Sequence, residues 1–129
     1  MKTIKVAAAI IQNNGKILAT QRNYGDFAGG WEFPGGKLED GETSLDACRR
    51  EILEELEVEL CDEEFLTKVE YDYPTFHLDM DCYLCKIARG EIVLHDHSHL
   101  AWVGKDDIDS VEWLPADAGL VPMLKAKLA

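Results

Sequence analysis

Basic residues are scarce in this 129-residue chain, which carries 13 lysines and arginines against 25 aspartates and glutamates. The formal net charge of -12 and the lack of any basic run argue against nonspecific binding to a nucleic acid polymer or an anionic membrane. No apolar run is long enough to cross a bilayer, since the first, Val6 to Ile11, soon meets an Asn-Gly turn. We therefore expect a cytoplasmic protein.

Cysteine pairs that would build a zinc site or a disulfide framework are also lacking. The four cysteines are Cys48, Cys61, Cys82 and Cys85. Cys82 and Cys85 have the spacing of half a zinc knuckle, but no second pair at matching spacing follows. In a strand their side chains would point to opposite faces, so we predict packing thiols.

Internal repeats and low-complexity segments are absent as well. A length of 129 residues with 47% hydrophobic composition allows one substantial core. We expect a single domain over residues 1–129, as a monomer or a homodimer.

Hydrophobic periodicity predicts strands and helices in a mixed order. The predicted strands are Val6 to Ile11, Lys16 to Arg22, Phe65 to Tyr73 and Phe76 to Cys85, the last antiparallel with one wetter face. Thr43 is a good N-cap for a helix whose apolar stripe would pack on the sheet. Pro122 belongs in the first turn of a final helix, which leaves Asp117 either as its cap or free for another role.

The chain contains a dense group of carboxylates between Gly35 and Val58. Glu51, Glu54 and Glu55 lie at helical spacing, so they share an outward face and repel one another by about a few tenths of a kcal/mol per pair. Oxygen-rich clusters suit Mg²⁺, which is usually held by a few carboxylates together with substrate phosphates. The alternative interpretation is a solvated acidic helix face.

The positions around these carboxylates resemble the Nudix box of the Nudix hydrolases. The match consists of Gly36, five residues, Glu42, seven residues, Arg50-Glu51, Ile52, one residue and Glu54-Glu55. Glu57 departs from the box, which has a glycine there to close the helix in a left-handed conformation. A non-glycine in that conformation costs about 1 kcal/mol, so we expect the helix to end differently.

The resemblance covers nearly the whole chain and is strongest to the MutT and CTP pyrophosphohydrolase branch. It implies an α/β protein with the Nudix fold, an α/β/α sandwich around a mixed β-sheet. It also implies a Mg²⁺ cofactor, with Mn²⁺ as a substitute. The implied metal ligands are Glu51, Glu54, Glu55 and the backbone carbonyl of Gly35, with Arg50 orienting the glutamates and Glu42 stabilising the loop or contacting a metal.

Asp96 takes the place of a glutamate that reaches the metal site in this branch, in a loop just before a strand with Trp102. Either Glu51 or Asp96 could then be the general base, and the residues do not choose between them. A zinc site at His95, His97 and His99 is the alternative for this segment, although such a site normally draws ligands from more than one element.

Five residues are candidates for substrate binding: Arg22, Lys37, Tyr73, Phe76 and Asp117. The resemblance makes Arg22 a candidate phosphate or base ligand, whereas the sequence alone favours a surface cation. Tyr73 and Phe76 flank a turn where they could stack a base or simply join the core. Lys37 follows two glycines, but Leu38 in place of Ser or Thr excludes a P-loop.

The implied reaction hydrolyses a nucleoside triphosphate, a small-molecule partner, to the monophosphate and diphosphate. An aspartate at position 117 can accept a hydrogen bond from an exocyclic amino group, so we favour CTP, dCTP or modified cytosine nucleotides. The first alternative is an 8-oxo-dGTP diphosphatase of MutT type. The second is a nucleotide-binding module without catalysis, which loss of box carboxylates would favour; none is missing.

Overall fold

Strand β1, Lys2–Asn13, runs through the middle of a mixed sheet in the computed structural model, which describes residues 1–128. The other strands are β2 (Lys16–Arg22), β3 (Trp31–Glu32), β4 (Gly35–Lys37), β5 (Glu59–Tyr73), β6 (Phe76–Arg89) and β7 (His97–Val103). The helices are α1 (Ser44–Leu56), α2 (Pro115–Ala118) and α3 (Val121–Leu128), with a 3-10 turn at Ile108–Ser110.

The sheet is mixed because β1 pairs differently with its neighbours. It is antiparallel to β2 and β4 and parallel to β6, and β6 in turn pairs antiparallel with the edge strand β5. Strands β3 and β7 both pair with β2. The predicted antiparallel pairing of β6 is therefore confirmed toward β5, while its parallel pairing toward β1 was not predicted.

Alternate side chains of β1 enter two separate cores, one on each face of the sheet. Ala8 and Ile10 pack in the core that includes Leu120 and Leu124, beside helix α3. Ala7, Ala9 and Ile11 pack in the core that includes Cys48, Ile52 and Leu56 of helix α1. Helices on both faces of a mixed sheet confirm the predicted α/β/α sandwich.

Strand bounds follow pairing more than hydrophobicity. The bounds of β2 match the prediction, and the Asn14–Gly15 turn before it has positive φ at both residues, as a tight hairpin requires. Strands β1 and β5 extend past their predicted bounds into polar segments that pair with β6, such as Lys2 with Phe76 and Glu59 with Arg89.

The prediction of packing thiols is confirmed for three of the four cysteines, while Cys61 is only half-buried; all four thiols are free within residues 1–128. Cys48, Cys82 and Cys85 are buried in the two cores, and burial raises the pKa of the Cys48 and Cys82 thiols to about 12. Within residues 1–128, none of the helices combines the length and apolar character that a membrane span needs.

Helix α1 begins at the predicted N-cap, but its C-terminal end differs from the prediction. The Thr43 hydroxyl accepts a hydrogen bond from the Asp46 N–H at 3.1 Å, which is the predicted N-cap. Glu57 at the other end is left-handed, with φ 59° and ψ 32°, and its N–H donates to the Leu53 carbonyl. The expectation of a different ending was wrong, since Glu57 adopts the conformation of the glycine it replaces.

We expect Glu57→Gly to raise the free energy of unfolding by about 1 kcal/mol, because glycine is left-handed without the steric cost of a side chain. The half-exposed contact with His95 that is lost is worth less than this. Urea denaturation measures the difference. Glu54→Gly is the control, since the same change inside helix α1 should lower stability by about 0.5–1 kcal/mol. A loss of stability in both variants would contradict the left-handed ending.

Candidate active site

Gly35 lets strand β4 lie close to β1, and Gly36 lets helix α1 lie directly against β4. A Cβ added at Gly35 would overlap the Ala7 backbone of β1, and one added at Gly36 would overlap the Glu51 carboxylate. No larger residue fits at either position without displacing these groups. The glycine turn thus brings the β4 backbone and the first box glutamate into contact.

Arg50 holds the loop before helix α1 and the helix carboxylates together. Its Nε donates to Glu42 Oε2 at 2.7 Å and its Nη2 to Glu42 Oε1 at 2.9 Å, a two-point contact. Its Nη1 donates to Glu51 at 2.9 Å and to Glu54 at 3.3 Å, and its Nη2 also donates to the Lys37 carbonyl. The hydrogen bond from Arg50 is the largest cause that lowers the pKa of Glu42 to about 2.

Glu55 is buried, with 8% of its surface exposed, although we expected it on an outward face. Burial is the largest cause that raises the pKa of its carboxyl to about 8, followed by the negative charges of Glu51, Glu32 and Asp96. Its Oε2 has no hydrogen-bond partner within residues 1–128. The box glutamate with the raised pKa is therefore the buried one, not one exposed to solvent.

The three box glutamates differ in their surroundings. Glu55 and Glu51 interact with each other, while the Glu54 side chain is 59% exposed and touches only the edge of Arg50. Across residues 1–128, no three acidic, histidine or cysteine side chains converge into a complete metal ligand set. Mg²⁺ is usually held by only one or two carboxylates, with water and phosphate completing its shell.

One observation shows that these oxygen ligands fit a divalent cation. A buried carboxyl with an unpartnered oxygen and a raised pKa is a group whose charged form needs a cation nearby. Glu55 and Glu51, together with the backbone carbonyl of Gly35 on β4, would hold such an ion. Asp96 lies in the loop before β7, exposed, and near enough to raise the pKa of Glu55.

The loop that carries Asp96 is docked on the end of helix α1. The Val93 N–H donates to the Leu56 carbonyl at 3.0 Å, and His95 Nε2 lies 2.5 Å from Glu57 Oε2. The zinc alternative has no support, because the three imidazoles contact different partners. These partners are Glu57 for His95, Glu32 for His97 and Gln21 for His99.

A cleft of about 110 Å³ lies next to Glu51, because Gly36, one of its lining residues, packs against the Glu51 carboxylate. Its lining includes Arg22, Phe27, Glu32, Phe33, Gly35, Gly36, Tyr73, Phe76, Leu114 and Asp117. Four of the five residues predicted to bind substrate are in this set. Lys37 is not, since it is exposed at the end of β4, and only its backbone carbonyl contacts Arg50.

Aromatic rings form one wall of the cleft. The Tyr73 and Phe76 rings are stacked with centroids 5.0 Å apart, and Phe27 lies 5.1 Å from Tyr73. The Tyr73 hydroxyl accepts a hydrogen bond from the Ala116 N–H at 3.3 Å, which ties this wall to helix α2. Phe27 was missed from sequence because it lies in a loop with no periodicity.

Asp117 is buried at the base of the cleft rather than capping the final helix. It lies inside α2, and its Oδ1 accepts a hydrogen bond from the Phe33 N–H at 3.0 Å. Burial is the largest cause that raises its pKa to about 7, although the Phe33 hydrogen bond opposes it. Near neutral pH this carboxyl therefore exists in both protonation states.

Arg22 and Glu32 form a paired charge at the cleft. Arg22 Nη2 donates to Glu32 Oε1 at 2.8 Å and Arg22 Nε to Glu32 Oε2 at 3.2 Å, while the Tyr24 ring lies 4.9 Å from the guanidinium. His97 Nε2 contacts Glu32 Oε2 at 3.0 Å. Glu32 was missed, although its position beside Pro34 and the glycine pair was a signal that could have found it.

A buried, crowded carboxyl near a cleft that Arg22 and aromatic side chains line is typical of an active site. The family model of the NUDIX domain matches residues 1–128, and the chain belongs to this family of hydrolases. Nudix hydrolases generally use divalent metal cations.

Two relatives of similar length align along nearly the whole chain. The chain is 38% identical over 125 residues to an 8-oxo-dGTP diphosphatase of Haemophilus influenzae, covering 95% of this chain and 92% of the relative. It is 35% identical over 130 residues to a CTP pyrophosphohydrolase of Escherichia coli, covering 100% and 94%.

Solved structures agree with the fold. A MutT NUDIX hydrolase from Burkholderia pseudomallei superimposes with a TM-score of 0.86 at 28% identity, covering 95% of this chain and 98% of that one. The solution structure of the E. coli ORF135 protein gives a TM-score of 0.79 at 34% identity, covering 99% and 90%.

We expect the metal-free protein to lose stability as pH rises from about 4.5, the ordinary pKa of Glu55, to about 8, its value in the fold. In that window the folded state keeps a proton that the unfolded state has released, so raising the pH favours unfolding. Asp117 acts in the same direction up to about pH 7. Chemical denaturation between pH 5 and 9 without divalent ions measures this dependence.

Two variants separate the contribution of Glu55. Glu55→Gln should flatten the stability profile between pH 7 and 8, whereas Glu64→Gln, the same change on an exposed strand residue, should leave it as in the parent protein. Added Mg²⁺ should stabilise the parent and not Glu55→Gln. A Glu55→Gln profile identical to that of the parent would contradict the raised pKa.

Proposed function

We propose that the protein is a Mg²⁺-dependent nucleoside triphosphate pyrophosphohydrolase, which converts a nucleoside triphosphate and water into the monophosphate and diphosphate. The observation that carries the proposal is the buried Glu55 carboxyl, crowded by the carboxylates of Glu51, Glu32 and Asp96, of which Glu32 lines the cleft. Such crowding is unfavourable without a cation, and a polyphosphate has the same need. A shared ion satisfies both.

The proposed ion is held by Glu51, Glu55 and the Gly35 carbonyl, with Glu54 or Asp96 reaching it directly or through water. When bound, it supplies charge neutralisation for the polyphosphate and makes water a better nucleophile. Arg50 is a positioning residue, because its charge-assisted hydrogen bonds fix both Glu42 and Glu51.

The reaction needs a carboxylate that accepts a proton from water. Water forms a new bond to an internal phosphorus, the bridging phosphorus–oxygen bond breaks, and the monophosphate and diphosphate separate. Glu51 and Asp96 are both candidates for the base, since Glu51 lies against β4 and Asp96 stands in the solvent-facing loop. Arg22, which lines the cleft, would bind phosphate or base there.

We further propose that Asp117 reads the base and that CTP, dCTP or a modified cytosine nucleotide is the substrate. One oxygen of Asp117 is occupied by the Phe33 N–H, which leaves the other for a ligand in the cleft. An ionised carboxyl can accept a hydrogen bond from the cytosine amino group. Tyr73 and Phe76 offer a stacking surface.

An 8-oxo-dGTP diphosphatase is the second candidate function. The chain is about as similar to a relative named for that activity, at 38% identity, as to one named CTP pyrophosphohydrolase, at 35% identity. Asp117 supports it too, because a protonated carboxyl both donates and accepts and its pKa is raised to about 7. A binding module without catalysis is not favoured, since every box carboxylate is present.

Diphosphate release from a panel of nucleotides tests the proposal. With Mg²⁺ we expect release from CTP, dCTP or 8-oxo-dGTP above that from the other triphosphates, nucleotide sugars and dinucleoside polyphosphates, and no release without a divalent ion. Glu55→Gln should lower kcat by about a hundredfold or more while the protein stays folded, and Glu64→Gln should retain full activity. Near-parent turnover by Glu55→Gln would refute the assignment.

Asp117→Asn tests base reading separately. An amide always presents both a donor and an acceptor, so the exchange should change the ranking of cytosine against oxidised guanine nucleotides by about tenfold in kcat/KM. Asp109→Asn, an exposed exchange in the turn that precedes α2, is the control. An unchanged ranking would count against this role of Asp117.

A further inference from the structure

His97 is a buried polar residue that the proposed chemistry does not use. Its side chain is 2% exposed, although it opens β7 beside a solvent-facing loop. It is paired across the sheet with Arg22, at the point where the register of β2 and β7 shifts. Such an irregularity re-aims side chains, and here it brings His97 and Arg22 to the same carboxylate.

That carboxylate is Glu32, which accepts from both partners. Its Oε2 lies 3.0 Å from His97 Nε2 and 3.2 Å from Arg22 Nε, and its Oε1 lies 2.8 Å from Arg22 Nη2. A carboxylate offers only lone pairs, so the hydrogen of the imidazole is on Nε2. No other group within residues 1–128 reaches His97 Nδ1, which makes Glu32 the one hydrogen-bond partner of this side chain in the described structure.

The position of Glu32 determines which N–H groups of Arg22 remain free for a ligand. A guanidinium has five N–H groups, and Glu32 takes one on Nε and one on Nη2, which leaves three for a ligand in the cleft that both residues line. The direction of those three depends on the plane of the Glu32 carboxylate. His97, which is not itself among the lining residues, contacts Oε2 of that carboxylate and so restrains its plane.

We propose that His97 is a positioning residue for substrate binding, which holds Glu32 so that Arg22 presents its free N–H groups to the polyphosphate or base. This inference rests on the proposed function, because it assumes that Arg22 contacts the nucleotide. It assigns a role to a histidine at which the sequence suggested only zinc.

A matched pair of variants tests the proposal. The amide nitrogen of His97→Gln reaches the place of Nε2 and can donate to Glu32, whereas that of His97→Asn is too short. For the nucleotide of the panel that the parent hydrolyses best, we expect His97→Asn to raise KM by about tenfold with kcat within about threefold of the parent. Loss of one charge-assisted hydrogen bond implies a change of this size. His97→Gln should restore KM to within about threefold. His99→Asn, on the exposed side of β7, should behave as the parent.

A double-mutant cycle shows whether the effect passes through Arg22. In an Arg22→Ala background, His97→Asn should raise KM no further. An additive effect, or equal loss in His97→Asn and His97→Gln, would overturn the proposal in favour of a packing role. A fall in kcat with unchanged KM would also overturn it, because that result points to the neighbouring Asp96.

Thermal unfolding without nucleotide checks that each variant folds. Should His97→Asn not fold, His97→Met replaces it, since methionine fills the site without a donor and carries the same expectation. A parent protein that releases no diphosphate from any nucleotide is a failure of the proposed function. An active parent whose His97 variants all keep KM is a failure of this inference alone.

Discussion

Burial of the Glu55 carboxyl among other acidic side chains is the constraint on which the rest of the site depends. A carboxyl with a pKa of about 8 and an unpartnered buried oxygen is unfavourable in isolation. Glu55 nevertheless lies among the buried residues of helix α1, beside Leu56, where little of its side chain reaches water. Each neighbouring feature either creates that crowding or offers a cation a way to relieve it.

The carboxylates that surround Glu55 come from different elements of the fold. Gly36 lets Glu51 press against β4, Glu32 comes from β3, and Asp96 comes from the loop that docks on the end of α1. Arg50 compensates only part of this charge, since its hydrogen bonds go to Glu42, Glu51 and Glu54 but not to Glu55. Glu55 is thus the one box glutamate, among the described residues, that Arg50 leaves without a cation.

Much of the scaffold could be predicted from sequence, because its signals are local. Strand β2, the Asn-Gly hairpin and the Thr43 cap depend on a few adjacent residues, and the structure confirms them. The burial of Glu55 could not be predicted. Helical spacing groups it with Glu51 and Glu54 but does not show that Glu55 is buried while Glu54 is exposed. Contacts among distant strands, such as His97 with Glu32, leave no periodic trace.

Proton release on metal binding tests the central claim most directly. Calorimetric titration of the metal-free protein with Mg²⁺ at pH 7, in two buffers of different ionisation enthalpy, measures the protons released per ion. A carboxyl with a pKa of about 8 is mostly protonated at that pH, so the account predicts release of about one proton per ion and its loss in Glu55→Gln. Mg²⁺ binding without proton release, or equal release by Glu55→Gln, would contradict it.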